Sequence, residues 1–447
     1  MKAADYNGTL YAIQTMRQML PASIYGPAQK REKFQLPCCR IEDHPRFAYR
    51  GCMLDVGRHF FSVEEIKRYL DVMSFYKLNR FHWHLTEDQG WRLPISKYPK
   101  LTEVGAWREG TQINRNPTLI EDKTYGGFYT KEEIAEVVAY ADKLGIVVVP
   151  EVDLPGHMQA ALASYPELGC KGSEPQPYKV WCIWGVSKQV LCVGRESTMK
   201  FLEDVLTEVC EMFPSEYIHI GGDECPKNEW SKDEECQALI EKLGLKDDEN
   251  ATKEDRLQNY VTSRIQNFLA SKGRKIIGWD EILQGELSEG ATVMSWRGTK
   301  GGIKAANAGY DVIMSPDNYC YINYQQSMYI DEEPIGQIRP SQPHRALPIG
   351  KVYGFEPLAG IPEECHKHIL GVQANMWTEW IRTDDHLEYM LLPRLLAISE
   401  VQWCQPERKD YDRFLSDLEK HQFGIFDALG YNYRKLGHDT YPENKEK

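Results

Sequence analysis

Eight short apolar segments recur along this chain, and amphipathic segments lie between them. Strands that alternate with helices favour a parallel sheet, and eight such units favour a closed (β/α)8 barrel, an α/β fold. We therefore expect one barrel domain over residues 45–447, with a last helix near Arg413–Lys420. The predicted strands are Tyr49–Val56, Arg80–Leu85, Ile146–Val152, Tyr217–Ile220, Lys275–Trp279, Thr292–Trp296, Asp311–Ser315 and Ile369–Met376. The predicted helices are Val63–Tyr76, Lys131–Leu144, Ser197–Met212, Lys253–Lys272, Lys300–Ala308 and Leu387–Glu400.

Residues 1–44 do not fit the barrel pattern. Leu10–Leu20 has a short helical period that ends at Pro21, and Pro27 to Pro37 reads as a linker. The first residues, Met-Lys-Ala-Ala-Asp-Tyr, lack the apolar core of a signal peptide. This pattern indicates either an intracellular protein or a mature or truncated form.

Charge and hydropathy exclude two classes of partner. The net charge of the 447 residues is −13, so no basic surface is expected to bind nucleic acid. No apolar run approaches the roughly 20 residues that a membrane-spanning helix needs.

The chain has 12 cysteines and no Cys-x-x-Cys pair, which disfavours a zinc ribbon or a thioredoxin-type site. An even count permits disulfides outside the cytosol, and the best candidates are Cys170, Cys182 and Cys192. Free buried thiols are the alternative.

The segment Gly221-Gly222-Asp223-Glu224 follows a predicted strand and ends it in two adjacent acids. Adjacent carboxylates repel, so one keeps a raised pKa and can donate a proton while the other stays ionised. This division suits cleavage of a glycosidic bond. A solvated turn is the alternative interpretation.

Other polar and aromatic side chains also follow predicted strands, at the barrel face where enzymes of this fold carry their chemistry. Trp279, Trp296 and Trp377 could form an apolar box around a ring or methyl group, or belong to the core. The strand-end residues are Arg58, Glu87, Asp153, Asp223, Asp280, Trp296, Tyr321 and Glu379.

Five further residues also have two interpretations. Arg58 and Glu379 could jointly hold a pair of sugar hydroxyls or form a salt bridge at the rim. His157 could tune Glu224 or cap a helix. His82 and His84 could be metal ligands, but the later strands end in tryptophans rather than further ligands, so structural histidines are favoured.

Six motifs in this order resemble glycoside hydrolase family 20, the β-N-acetylhexosaminidases, in their bacterial type. The resemblance runs from about Phe47 to Trp403. The motifs are Leu-Asp-Val-Gly-Arg-His-Phe, His-Trp-His-Leu-Thr-Glu-Asp-Gln-Gly-Trp-Arg, Pro-Glu-Val-Asp-Leu-Pro-Gly-His, His-Ile-Gly-Gly-Asp-Glu, Gly-Trp-Asp-Glu and Met-Trp-Thr-Glu.

The resemblance implies a retaining, substrate-assisted mechanism without a cofactor or metal, in which the sugar's 2-acetamido oxygen attacks C1 and forms an oxazolinium ion. It implies that Glu224 is the acid and base and that Asp223 orients the acetamido group. By the same resemblance, Tyr321 binds the acetamido oxygen and the three tryptophans surround the acetamido methyl and the ring. Arg58 and Glu379 would grip the far hydroxyls of an exo-acting pocket, and His157 would lie behind the acid.

Three departures from the family pattern bear on function. Glu87 stands where Asp is frequent in the acid–histidine relay. Asn323 stands where many members have Asp facing the C6 hydroxyl, so we expect tolerance of 6-sulfated GlcNAc. The small α+β domain that usually precedes the barrel is represented only by the helix within Tyr6–Pro21, so the chain is expected to begin inside that domain.

The leading hypothesis is therefore an exo-β-N-acetylhexosaminidase acting on terminal GlcNAc or GalNAc of glycans, in the periplasm or outside the cell as the resemblance implies. A homodimer could cover the surface left by the shortened domain. The alternatives are a glycan-binding barrel without turnover and a metal-dependent hydrolase, which chelation would reveal.

Overall fold

The structure is a computed structural model, and it describes residues 2–26, 34–173, 175–284, 290–327, 333–338 and 346–437. The predicted linker therefore lies partly outside the described residues, because residues 27–33 are not among them.

Eight parallel strands close into a barrel, as the sequence predicts. The first strand pairs with both the second and the eighth, and the remaining strands pair with their neighbours in chain order. Each strand lies within one residue of its predicted ends. The strands are Tyr49–Asp55, Arg80–His84, Val147–Glu151, Tyr217–His219, Lys275–Trp279, Thr292–Ser295, Asp311–Met314 and Ile369–Met376.

Helices surround the barrel, and the six predicted segments are all helical. Two predictions need correction. Leu387–Glu400 is not one helix, because Pro393 has no amide hydrogen and separates two helices at this point. The terminal helix does not stop at Lys420 but continues through a π-type turn at Leu418–Gln422 into another helix.

The α-helices of the described chain have the following bounds: Tyr6–Gln18, Val63–Phe75, Lys100–Glu103, Lys131–Lys143, Gln159–Ser164, Glu196–Met212, Glu234–Leu243, Lys253–Ser271, Lys300–Asn307, Asp317–Cys320, Ile349–Tyr353, Asp384–Leu391, Arg394–Trp403, Tyr411–Asp417 and Phe423–Leu429. Two of the longer ones begin with a capping box, in which Thr130 and Thr252 exchange hydrogen bonds with the acid three residues later.

The connection between the second and third barrel strands carries small antiparallel pairs that the sequence pattern does not predict. They pair Thr86–Glu87 with Gly90–Trp91, Trp107–Arg108 with Tyr125–Gly126, and Thr111–Ile113 with Asn116–Glu121. Arg92 ties this region to the first strand's loop, since its guanidinium donates to the carbonyls of Val56, Gly57, Ala106 and Gly127.

The barrel has two apolar layers. Inside it lies a small cluster formed by Tyr49, Val149, Ile277, Trp279, Met294 and Ile313. The larger cluster lies between the strands and the surrounding helices. Within the described residues, no helix is both long enough and apolar enough to cross a membrane.

The N-terminal helix Tyr6–Gln18 packs against the barrel's outer helices. The Gln14 side chain is buried and donates to the Ser74 hydroxyl at 3.1 Å, and Tyr11 meets the Trp403 ring edge-on at 5.3 Å. This helix matches the predicted Leu10–Leu20 segment but begins four residues earlier, at Tyr6, because Asp5 caps it by accepting from the Gly8 amide.

Candidate functional site

The fourth strand ends in a tight turn that places two acids in the barrel mouth. Gly221 and Gly222 have φ values of +62° and +96°, which residues with a Cβ rarely adopt. Glu224 and His157 also have positive φ, at 45° and 52°. Non-glycine residues held in this region store local strain, and such strain concentrates at functional sites.

Asp223 and Glu224 differ in exposure although they are neighbours. The Asp223 side chain is 12% exposed and the Glu224 side chain is 41% exposed, so only Glu224 opens widely to the mouth. Burial and the Asp223 charge raise the pKa of Glu224, and the His157 charge opposes that rise. A carboxyl group with a raised pKa can donate a proton near neutral pH.

His157 lies behind both acids. Its Nε2 is 3.7 Å from an oxygen of Asp223 and 3.7 Å from one of Glu224, while its Nδ1 donates to Glu87 at 3.1 Å. Burial opposes a charge on His157, but Glu87 and Asp88 raise its pKa well above the ordinary value. The ring is therefore a cation that faces the two acids.

Glu87 is long enough to join this network. It accepts from Arg58 at 2.7 Å through one oxygen and from His157 through the other. Burial alone would raise the pKa of Glu87, yet Arg58 and His157 hold it well below the ordinary range. Glu87, at the position where the family often has Asp, thus makes the contact with His157.

Asp153 belongs to the same group, although the sequence identified it only as a strand-end residue. Its Oδ1 accepts from the Gly222 amide at 3.0 Å, and its carboxylate lies with Asp223 and His157 within 4.8 Å. Burial and the Asp223 charge raise the pKa of Asp153 well above normal. Asp153 therefore fixes the turn that carries Asp223, and the Asp223 charge favours the protonated form of Asp153.

Trp279, Trp296, Trp377 and Tyr321 form one wall of aromatic rings. The Trp279 and Trp377 centroids are 5.8 Å apart, and Trp296 stacks on Tyr321 at 6.2 Å with nearly parallel planes. Tyr321 also contacts Trp377 at 6.3 Å. Burial raises the pKa of Tyr321 well above 10, so its hydroxyl keeps a proton to donate.

Glu281 is a site residue that the sequence did not single out, although it ends the quoted motif Gly-Trp-Asp-Glu. It accepts from the Trp296 indole nitrogen at 2.9 Å and is 8% exposed. Burial, Asp223 and Asp280 raise its pKa to about 8. The carboxyl group orients Trp296 in the aromatic wall.

Arg58 and Glu379 lie in the loops that follow two adjoining strands of the closed barrel, Tyr49–Asp55 and Ile369–Met376. Arg58 pairs with Glu87 and Asp55 and stacks over the Trp377 ring at 4.9 Å. The buried Oε2 of Glu379 has no hydrogen-bond partner among the described residues. Burial raises the pKa of Glu379, which the Arg58 charge opposes. An acceptor of this kind can bind a ligand hydroxyl.

Asn323 is 2% exposed, and its Oδ1 also has no partner within the part of the chain that the structure describes. Its backbone carbonyl accepts from Gln337 at 2.9 Å. The neighbouring carbonyl of Gly336 accepts from Arg115, which comes from the hairpin after the second strand. The structure thus brings an arginine to this segment that sequence spacing could not reveal.

His82, His84 and His219 surround the buried Glu151 carboxylate beneath the aromatic wall. Nitrogens of His82 and His219 lie 2.9 Å from its oxygens, and His84 makes a shorter contact. The Trp279 indole donates to the same carboxylate at 2.9 Å. This arrangement accounts for His82 and His84 as supports of Glu151 and, through it, of Trp279.

The cysteines are free thiols in the structure. Of the three proposed disulfide candidates, Cys170 and Cys192 lie close together beside Cys236. Cys182 is not part of this group, and its thiol contacts the Val180 carbonyl. Cys236 comes 44 positions after Cys192, so the spacing of cysteines along the sequence did not indicate this contact.

Comparisons with known proteins give the family of this chain. The model of the family described as glycosyl hydrolase family 20, catalytic domain, matches residues 47–406. A β-hexosaminidase of Porphyromonas gingivalis is 43% identical over 96% of this chain and 52% of that protein. A β-hexosaminidase of Akkermansia muciniphila is 34% identical over 96% of this chain and 82% of its own length.

Solved structures give the same result. The GH20 exo-β-N-acetylglucosaminidase from Vibrio harveyi, in complex with N-acetylglucosamine, has a TM-score of 0.82 and 35% identity, and the match covers 96% of this chain and 64% of that one. The chain spans about half the length of the P. gingivalis relative and 62% of a Vibrio furnissii β-hexosaminidase. The family-model match and the site geometry lead to one conclusion: the chain belongs to glycosyl hydrolase family 20.

Proposed function

We propose that this chain is an exo-acting β-N-acetylhexosaminidase that removes terminal β-linked GlcNAc or GalNAc from glycans. The observation that carries the proposal is the pairing of a half-open acid, Glu224, with a buried acid, Asp223, beside a wall of four aromatic rings. The first acid can transfer protons, the second can stabilise charge, and the wall fits an apolar methyl group.

In the proposed mechanism Glu224 protonates the leaving oxygen as the glycosidic bond breaks. Its raised pKa keeps this proton available, and the loss of the proton then makes Glu224 the base that activates water. The His157 cation stabilises the carboxylate that forms, since its Nε2 is 3.7 Å away. Glu87 and Asp88 hold that cation in place.

The nucleophile in this mechanism is the substrate's own acetamido oxygen. Attack on C1 leaves positive charge on the acetamido nitrogen and carbon, which a buried Asp223 carboxylate can offset while it accepts the N–H. The Tyr321 hydroxyl donates to the acetamido oxygen and positions it for attack. Trp279, Trp296 and Trp377 surround the methyl group and exclude water from the ion.

The exo specificity is proposed from two charged residues beside Trp377. The guanidinium of Arg58 and the Glu379 carboxylate oxygen, which has no hydrogen-bond partner among the described residues, can bind hydroxyls far from the reacting carbon. A pocket that ends in such contacts admits one terminal sugar.

The family resemblance also supports tolerance of a sulfate at C6, and two observations support it here. Asn323 has no charge to repel an anion. Arg115 donates to the Gly336 carbonyl and so brings a positive charge to the segment whose next residue, Gln337, is hydrogen-bonded to the Asn323 carbonyl. We expect 6-sulfo-GlcNAc aryl glycosides to be cleaved, with at least a tenfold loss of kcat/KM in Asn323→Asp relative to the unsulfated substrate. If wild type and Asn323→Asp had the same ratio of kcat/KM on the sulfated substrate to kcat/KM on the unsulfated one, the sulfate proposal would be wrong. The proposal for the main activity would not be affected.

The experiment for the main proposal uses N,N′-diacetylchitobiose, whose leaving group needs a proton. Glu224→Gln should lower kcat by about 10²–10⁴-fold, while Glu229→Gln, on the same loop, should not. Near-wild-type turnover by Glu224→Gln would rule out the assignment. A wild-type chain that binds the disaccharide without releasing GlcNAc would instead identify a glycan-binding barrel.

We propose a periplasmic or extracellular location from the family resemblance and from the bacterial relatives named β-hexosaminidase. Fractionation of the native cells with an antibody to the chain tests this location. Recovery of the protein in the cytoplasmic fraction alone would contradict it.

A further inference from the structure

Three cysteines and one aspartate from separate segments meet at a single buried point away from the acids. They are Cys170, Cys192, Asp233 and Cys236, and one donor atom of each lies within 4.8 Å of all the others. Each of the four residues is at most 4% exposed. Thiolate sulfurs with a carboxylate oxygen form a donor set typical of zinc.

The spacing of the donors suits a shared ion rather than a disulfide. Tetrahedral bonds of about 2.3 Å from zinc to sulfur separate two sulfurs by about 3.8 Å. The Sγ atoms of Cys192 and Cys236 are 3.8 Å apart, whereas a disulfide needs about 2.05 Å. Cys192 Sγ is 3.3 Å from Asp233 Oδ1, close to the roughly 3.5 Å expected for sulfur and oxygen around one ion.

Neighbouring groups hold the carboxylate in place. Asp233 accepts from the amides of Glu235 and Cys236 at the start of helix Glu234–Leu243, and from the Lys171 amide at 3.0 Å. The Arg195 guanidinium donates to the Gly169 carbonyl and supplies positive charge near the thiols. Contacts of this kind orient metal ligands and balance their charge.

We propose that Cys170, Cys192, Cys236 and Asp233 bind one divalent, thiolate-preferring metal ion of the zinc class. Each coordinating thiol releases its proton to solvent when the ion binds, so no oxidant is required. Four protein ligands complete a tetrahedral sphere, which makes the site structural rather than catalytic.

Such an ion would join the two loops that carry the proposed catalytic groups. Cys170 and Cys192 lie in the connection after the third strand, which also holds His157, while Asp233 and Cys236 follow the loop of Glu224. The Leu191 amide donates to Pro155, and the Trp230 indole donates to the Leu191 carbonyl at 2.8 Å. Loss of the ion would therefore loosen both loops together.

The test measures metal in the full-length chain, purified without an affinity tag that binds metal and without chelators. Elemental analysis should find about one zinc per chain, and cobalt substitution should give thiolate-to-cobalt absorption in the near ultraviolet. Cys192→Ser and Cys236→Ser should lose most of the bound metal. Cys182→Ser, a matched control in the same connection, should retain it.

A second variant covers the case in which the cysteine variants do not fold. Asp233→Asn keeps a side chain that caps the helix but removes the charged ligand, so zinc affinity measured by competition with a chelating dye should fall about 10–100-fold. Metal-free wild-type protein containing a Cys192–Cys236 or Cys170–Cys192 disulfide, detected by mass spectrometry, would overturn the proposal. Unchanged zinc affinity in Asp233→Asn and unchanged zinc content in Cys236→Ser would overturn it as well.

Discussion

At the scale of single residues, the carboxyl groups at the barrel mouth have different pKa shifts because their environments differ. Two cations hold the pKa of Glu87 well below its ordinary range, burial and the Asp223 charge raise the pKa of Asp153, and burial raises the pKa of Glu224 at the opening. The same functional group therefore has three protonation behaviours, because burial and neighbouring charges differ at each position.

The variant Tyr321→Phe should separate the contribution of the hydroxyl from that of the ring. The aromatic wall stays filled, while the proposed donor to the acetamido oxygen is lost, so kcat should fall about 10²–10³-fold. The urea midpoint should stay near that of wild type, since the ring contacts with Trp296 and Trp377 remain. Steady-state kinetics on an aryl β-GlcNAc substrate measures the effect, and an unchanged kcat would contradict the role of Tyr321.

Glu281 should make stability depend on pH. The unfolded chain releases this proton near 4.5, but the folded chain keeps it up to about 8, so stability falls as pH rises between those values. Glu281→Gln should remove this loss, which is on the order of 1 kcal/mol per pH unit at most. Thermal unfolding from pH 5 to 8 measures it, with exposed Glu363→Gln as control. Parallel slopes for all three proteins would contradict the prediction.

Sequence reasoning at this scale identified the residues that follow strands but not all of their partners. Asp223 and Glu224 could be singled out because they come directly after an apolar run, whereas the role of Tyr321 was indicated only by the family resemblance. The contacts of Arg115 with the Asn323 segment and of Glu281 with Trp296 depend on loop paths, which have no period in the sequence.

At the scale of elements, the turn after the fourth strand determines where the acids point. A Cβ on Gly221 would lie 1.8 Å from Asp153 Oδ1, in addition to the unfavourable φ of +62°. No side chain can occupy this position unless Asp153 moves. The close approach of strand end and carboxylate is therefore a requirement of the site rather than of the barrel alone.

Gly221→Ala should cost about 3 kcal/mol or more of unfolding free energy and abolish most activity. Gly273→Ala is the matched control, since Gly273 has φ of +73° but no atom within 4 Å of the new Cβ. That control should cost about 1 kcal/mol, the conformational part alone. Urea unfolding of both variants separates the conformational cost of the positive φ from the cost of the clash with Asp153. Equal losses of unfolding free energy in the two variants would show that the clash with Asp153 does not matter.

The elements themselves were predictable where the pattern was long. The strand Ile369–Met376 is buried along nearly its whole length and is apolar except for Gln373 and Asn375, and its ends match the prediction. The pairs Thr86–Glu87 and Trp107–Arg108 have two residues per strand, too few to show alternation. Pro393 could have indicated the break within Leu387–Glu400, but the apolar period continues across it.

At the scale of the whole molecule, the N-terminal helix Tyr6–Gln18 has exposed apolar side chains. Ile13 and Met16, three residues apart on one face of helix Tyr6–Gln18, are 39% and 44% exposed. Together with exposed Phe34 and Leu36, they support the proposal of a homodimer.

Light scattering should therefore give twice the chain mass for wild type and the single mass for Ile13→Glu combined with Met16→Glu. Val186→Glu replaces an exposed apolar residue on another part of the molecule and should leave the dimer intact. A monomeric wild type at every concentration measured would contradict the dimer without affecting the proposed activity.

The most direct measurement of the central claim compares three aryl β-glycosides that differ only at C2 of the sugar: glucose, N-acetylglucosamine and its N-trifluoroacetyl analogue. If the acetamido oxygen is the nucleophile, kcat/KM for GlcNAc should exceed that for glucose by about 10³-fold or more. Fluorine withdraws electrons from that oxygen, so the analogue should react more than about tenfold slower than GlcNAc. Comparable values for all three substrates would contradict acetamido participation and the roles proposed for Asp223 and Tyr321.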